Sequence, residues 1–167
     1  IIAKHILKNI DPNYKIYSWL DRGSDERQYC APGVDLPIAS IMRTKYGEYP
    51  EYHTSLDDLG NVVTEEGLYG GLIALVKSLE AIENNIFPKV TTLCEPQLGK
   101  RNLYHDVSTK NFQDEFKLIN DIIGCSDGKT SLIDIAEYFC CPIWKLYSVI
   151  NLLSEKGVIN LKRKNEN

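Results

Sequence analysis

Long hydrophobic runs are scarce in this sequence. Its apolar runs are only a few residues long, against the ~20 that a membrane span needs, and no basic start followed by an apolar stretch reads as a signal peptide. Five cysteines, Cys30, Cys94, Cys125, Cys140 and Cys141, form neither an even set nor a C-x-x-C spacing. That argues against a disulfide framework or a thiolate zinc site, and a cytoplasmic location is expected. Excess positive charge is missing too: 19 basic against 23 acidic side chains leave a net charge of -4, which gives no long-range attraction to nucleic acid or an anionic membrane. What is present, 43% hydrophobic and 25% charged residues in a chain of 167, suits one solid core or two small ones. The sequence starts at Ile1 rather than Met and enters a helical pattern with no cap before it, so a fragment of a longer protein is expected.

Residues 1–10 predict a helix stopped at Asp11-Pro12-Asn13, where the proline ring removes a donor and pushes Asp11 out of the helical region. Tyr14 to Leu20 alternates like a strand, and Val34 to Met42 reads as a second, buried one. Between them lies the charge-dense segment Asp21-Arg22-Gly23-Ser24-Asp25-Glu26-Arg27, placed where an α/β sheet carries its chemistry. A loop rich in Tyr, Gly and Pro, Tyr46 to Tyr52, then delivers His53. The clearest helix runs from about Thr64, its N-cap, to Asn84, with Leu68, Leu72, Leu75, Val76, Leu79 and Ile82 on one face. A short strand is expected over Val90 to Leu93.

Beyond an irregular stretch, Cys94 to Ser108, the pattern becomes helical alone. One helix is marked by Phe112, Phe116, Ile119, Ile122 and Ile123. Ser131 with Asp134 opens a second, and Pro142 suits the first turn of a third, which carries Ile143, Leu146, Ile150 and Leu153 and is capped by Gly157. Val158 to Lys164 completes a β wing. The fold class expected is therefore α/β with flanking helices, followed by a small winged-helix domain; the division is drawn as 1–105 and 106–167.

The segment Ser24-Asp25-Glu26-Arg27-Gln28-Tyr29, followed by Tyr52-His53-Thr54-Ser55-Leu56-Asp57, resembles the second half of the zinc-dependent aminopeptidase family that includes glutaminyl cyclases. The run from Asp25 through Pro37 to His53, with Glu95-Pro96-Gln97-Leu98-Gly99-Lys100-Arg101, is most similar to the branch linked to polysaccharide biosynthesis that carries a winged-helix tail. The resemblance implies the second half of a zinc-exopeptidase-type sheet. It also implies Asp25 and His53 as ligands of two zinc ions and Asp57 as a carboxylate orienting His53. Carboxylate oxygen and neutral imidazole nitrogen both suit zinc. Glu26, Arg27, Tyr29, Lys100 and Arg101 are candidates to line a pocket for a peptide or amide substrate. For Glu26, Arg27 and Tyr29 a salt-bridged turn with a packing aromatic explains the residues equally well.

The family also uses an earlier His-x-Asp and an earlier Glu-Glu, whose first Glu is the general base, and neither precedes Asp25. Glu65-Glu66 follows His53 and opens a helix, where acidic residues suit the helix dipole. This chain alone is therefore expected to be inactive and to bind zinc weakly, its missing ligands and base lying in the absent N-terminal half of its own protein. The alternative is a non-catalytic winged-helix module on a hydrolase-like scaffold, contacting protein or nucleic acid. Residues 106–167 hold 8 basic and 9 acidic side chains, a balance that disfavours DNA.

Overall fold

The computed structural model describes residues 1–103 and 112–163, with the side chains of 112–115 excepted. By internal contacts the chain falls into two units, Ile1–Leu79 and Glu80–Asn167.

In the first unit, α1 (Ile2–Ile10) ends as its sequence demands. Asp11 is extended and its amide donates to the Leu7 carbonyl, while the Asp11 carboxylate takes up the Asn13 amide at 2.9 Å. A single helical turn, α2 (Glu26–Tyr29), follows. The long helix α3 (Glu65–Asn84), whose residues up to Leu79 belong to this unit, begins where Thr64 predicts, the Thr64 hydroxyl accepting from the Gly67 amide at 3.1 Å.

The two strands expected over Tyr14–Leu20 and Val34–Met42 do not form. Both stretches are irregular, apart from a 3-10 turn at Trp19–Asp21, and Val34, Leu36, Ile38 and Leu20 are exposed rather than buried. A strand is held by its neighbour's hydrogen bonds, and among the described residues these two stretches pair with nothing. An α/β sheet is therefore not seen in this unit.

The second unit holds α4 (Phe112–Cys125), α5 (Leu132–Tyr138) and α6 (Tyr147–Glu155). Its strands β1 (Phe87–Val90) and β2 (Ile159–Lys162) pair antiparallel, Phe87 opposite Lys162 and Val90 opposite Ile159. On the other side β1 forms a bridge from Lys89 to Asp127. The short strand thus lies at Phe87–Val90 rather than Val90–Leu93, and Pro88 contributes a carbonyl, which accepts from Gly128 at 2.8 Å. The boundary drawn at 105/106 falls outside the described residues, as does Lys164 of the wing and the side chain of Phe112. β1, which precedes that boundary, is the partner strand of the wing.

Local signals set the helix ends. Ser131 accepts from the Asp134 amide at 3.3 Å and its hydroxyl donates to the Asp134 carboxylate at 2.6 Å. The first two amides of α5, Leu132 and Ile133, donate to Ile86 O and to Asn85 Oδ1. Gly157, with φ +64°, stops α6. The core between these elements is Ile119, Ile122, Leu132, Ile133, Ile135, Ile143, Leu146, Ile150, Leu153, Val158 and Ile159, all buried. Phe139, expected in it, is half-buried at the end of α5.

Candidate functional site

The candidate ligands stand on two loops of the first unit that side chains tie together. Asp25 immediately precedes α2, and its carbonyl takes the amides of Gln28 and Tyr29. Next to it, the half-buried Glu26 carboxylate is fully engaged. One oxygen accepts the Gly23 amide at 2.9 Å, the Ser24 amide at 3.1 Å and the Tyr46 hydroxyl at 2.9 Å, and the other accepts the Ser40 hydroxyl at 3.1 Å. The Gly23 and Ser24 amides, with Tyr46 adding to them, hold this carboxyl down to about 2. Gly23 is required by the same contact: a Cβ there would lie 2.6 Å from the Tyr46 ring.

Tyr46 carries the link onward. Its ring stands 6.4 Å from that of Tyr52, and Tyr52 meets His53 edge-on at 4.2 Å. Tyr49 packs edge-on against Tyr52 at 5.6 Å and donates to the Asp57 carboxylate at 3.0 Å. The same loop is fastened further by the Tyr17 hydroxyl on Glu48 at 2.6 Å, with Lys15 3.6 Å from that carboxylate. His53 itself adopts φ +61°, a left-handed conformation uncommon for a residue with a Cβ. The segment bearing His53 is thereby linked, through Tyr52 and Tyr46, to the turn that holds Glu26.

The chemistry-bearing residues divide into committed and uncommitted ones. Glu26 closes the turn through hydrogen bonds to amides and hydroxyls rather than through a salt bridge. Asp57 accepts from the Tyr49 hydroxyl, and Tyr49 packs on Tyr52, the ring that meets His53. Arg22 lies over the Trp19 ring at 4.7 Å and donates to the Trp19 carbonyl. Among the described residues the Asp25 carboxylate and the His53 ring nitrogens have no hydrogen-bond partner, and both residues are exposed, as are Arg27 and Tyr29.

Lys100 and Arg101 belong to the second unit. Arg101 donates to the carbonyls of Lys156 and Gly157 at 2.9 and 2.8 Å, so it caps the C-terminal end of α6, where cations are favoured. Lys100 lines a groove of about 670 Å³ with Glu95, Gln97, Phe116 and Asn120. Reasoning from sequence singled out neither Tyr46 nor Ser40 as anchors of the turn; the density of tyrosines before His53 was the one signal for them.

Zinc takes three or four donors of the Asp, His, Cys or Glu type. Among the described residues no group of three such side chains is placed to hold a metal ion. Asp25 and His53 are donors of the right chemistry, but the described residues do not by themselves compose a zinc site. Nor is any helix among them long and apolar enough to cross a membrane.

Three helices with a small antiparallel sheet make the second unit a winged helix, preceded by a unit that presents an acid and an imidazole on tethered loops. The chain belongs to the family described as a domain of unknown function, DUF4910, which residues 1–85 match. Residues 85–161 match a winged helix-turn-helix family. A protein of Clostridium acetobutylicum named "Putative polysaccharide biosynthesis protein with aminopeptidase-like domain" is 37% identical over 138 residues, 81% of this chain and 31% of that protein. A crystal structure of a "putative peptidase" from the same species superposes with a TM-score of 0.78 at 31% identity, covering 96% of this chain and 35% of that one. The chain thus spans about a third of the length of the relatives it matches.

Proposed function

We propose that this chain is one part of a zinc-dependent, aminopeptidase-like hydrolase of the cytoplasm, acting on a peptide or amide bond, in which Asp25 and His53 each ligate one of two zinc ions. The observation that carries the reading is the contrast within the site. The neighbouring Glu26 carboxylate is engaged through both oxygens and Asp57 takes the Tyr49 hydroxyl, while Asp25 and His53 are left open on loops joined through Tyr46 and Tyr52. Kinship with proteins named as aminopeptidase-like and as a peptidase supports it. The remaining ligands and the general base come from polypeptide outside this chain, and zinc ions would supply an activated water to such a hydrolysis. Five cysteines, all free, agree with a reducing compartment.

The winged-helix unit is assigned to protein contact rather than to DNA. Arg163 is taken up 3.8 Å from Glu83, and α6 offers Ser148 and Asn151 without a row of cations for phosphates.

Calorimetric titration with zinc and an aminoacyl-nitroanilide assay test the main reading. The chain alone should bind zinc weakly and turn over nothing, because most of the donor set is elsewhere. The residual binding should disappear in Asp25→Asn and in His53→Ala. Tight stoichiometric zinc with turnover, or binding indifferent to both changes, would overturn the assignment.

A further inference from the structure

The helix α3 is turned the wrong way round for a chain folding on itself. In an amphipathic helix the large apolar stripe faces the core, yet Leu68, Leu72, Leu75 and Leu79 are 62%, 55%, 55% and 54% exposed. The face that is buried is the small one: Ala74 at 5% and Ser78 at 8%, with the Ser78 hydroxyl turned back onto the Ala74 carbonyl at 2.7 Å. On the same side the Arg43 guanidinium lies across the glycines, 3.6 Å from a Cβ at Gly67 and 3.5 Å from one at Gly70. The four leucines follow steps of four, three and four, so they form one seam about 16 Å long on a rise of 1.5 Å per residue.

The rest of the unit repeats the pattern. Across Ile1–Leu79 the buried residues are His5, Ile6, Ala74 and Ser78, while Ile16, Leu20, Val34, Leu36 and Ile38 stand exposed. A monomeric surface rarely keeps so many large side chains open unless something covers them.

We propose that the leucine seam of α3 is a docking face, and that its occupant is aminopeptidase-like polypeptide of the kind the Clostridium relatives carry outside the third that this chain matches. Two facts select this occupant. The relatives hold this fold within chains about three times as long. The unit that bears the seam is the one matched by the DUF4910 family, whereas the winged helix has a core of its own. The inference rests on that kinship and not on zinc chemistry. Its readout is association, so it can fail while the hydrolase reading stands, and the reverse.

The test co-expresses the full chain with a tagged polypeptide comprising the part of the Clostridium aminopeptidase-like relative that lies outside the match. The two should copurify in equal amounts, and the amides of α3 should gain protection from hydrogen exchange. The double variant Leu72→Glu/Leu75→Glu should weaken capture roughly a hundredfold, as loss of two central apolar contacts does. Leu93→Glu, at an exposed position in the other unit, should not change it. If the tagged polypeptide does not fold by itself, binding of an anilinonaphthalene sulfonate dye to the chain alone is the second measurement; the dye should bind and the double variant should lose it. Failure of a soluble tagged polypeptide to capture the chain, capture indifferent to the leucine changes, or absence of dye binding would overturn the proposal. So would a dimer of the chain alone that the double variant splits, since the occupant would then be a second copy.

Discussion

Residues 1–79 and 80–167 are similar in length and opposite in construction. The second unit buries Leu132, Ile135, Leu146, Ile150 and Leu153 to within 2% of complete, and its helix ends are closed by Ser131, Gly157 and Arg101. The first has one large apolar side chain, Ile6, fully buried, and it is held mainly by polar and aromatic side-chain contacts around Glu26 and Tyr46. Order in one comes from apolar burial, which is non-directional and large; order in the other comes from hydrogen bonds, each of which adds little net stability. A unit of the second kind is well suited to presenting donors such as Asp25 and His53 and poorly suited to standing alone.

The widest gap between the two should appear on truncating a leucine in each. Leu146→Ala, at a fully buried position, should cost about 2–5 kcal/mol in chemical denaturation of the chain. Leu72→Ala, on the exposed face of α3, should stay within about 0.5 kcal/mol. Equal losses would erase the distinction and show the seam to be covered already.

Within the first unit, Gly23→Ala should be the most damaging small change, at about 1–3 kcal/mol, because the new methyl must displace the Tyr46 ring. The expected signature is a change in tyrosine fluorescence together with faster exchange at the Gly23 and Ser24 amides. The same substitution at Gly124, where a Cβ would meet nothing within 4 Å, is the control. In the second unit, Ser131→Ala should cost about 1 kcal/mol through loss of the cap on α5, read by thermal melting.

The smallest effect sharpens the contrast by pH. The Glu26 carboxyl is held down to about 2, first by the Gly23 and Ser24 amides, below its ordinary value of 4.5. A depressed carboxylate contributes above its unfolded pKa, and the contribution fades as pH falls through the folded one. Protection of those two amides should therefore be full above about 4.5 and decline towards about 2, while the amides of α5 and α6 keep theirs over the same range. Glu26→Gln should remove this pH dependence.

Legibility of the chain followed the range of the interactions. The extents of α1, α3 and α5 and the end of α6 could be read because caps and breakers act within a turn: Asp11-Pro12 ends α1, Thr64 opens α3, Ser131 opens α5 and Gly157 closes α6, whereas the start of α6 lies at Tyr147 and Pro142 opens a 3-10 turn over Ile143–Lys145 instead. The stripe Leu132, Ile135, Leu146, Ile150 and Leu153 was legible for the same reason, since helical spacing alone puts these residues on common faces.

What the sequence determined by itself was therefore the local grammar and the presence of Asp25 and His53 on polar segments. Only the tertiary structure decided that Tyr14–Leu20 and Val34–Met42 remain unpaired, for alternation states a face but cannot name a partner strand. It alone decided that β1 joins β2 across some 70 residues of chain, that Tyr46 closes on Glu26, and that α3 buries its alanines instead of its leucines. Each of these depends on residues far apart in sequence, and the choice among such contacts is made by packing in space, where neither periodicity nor spacing carries information.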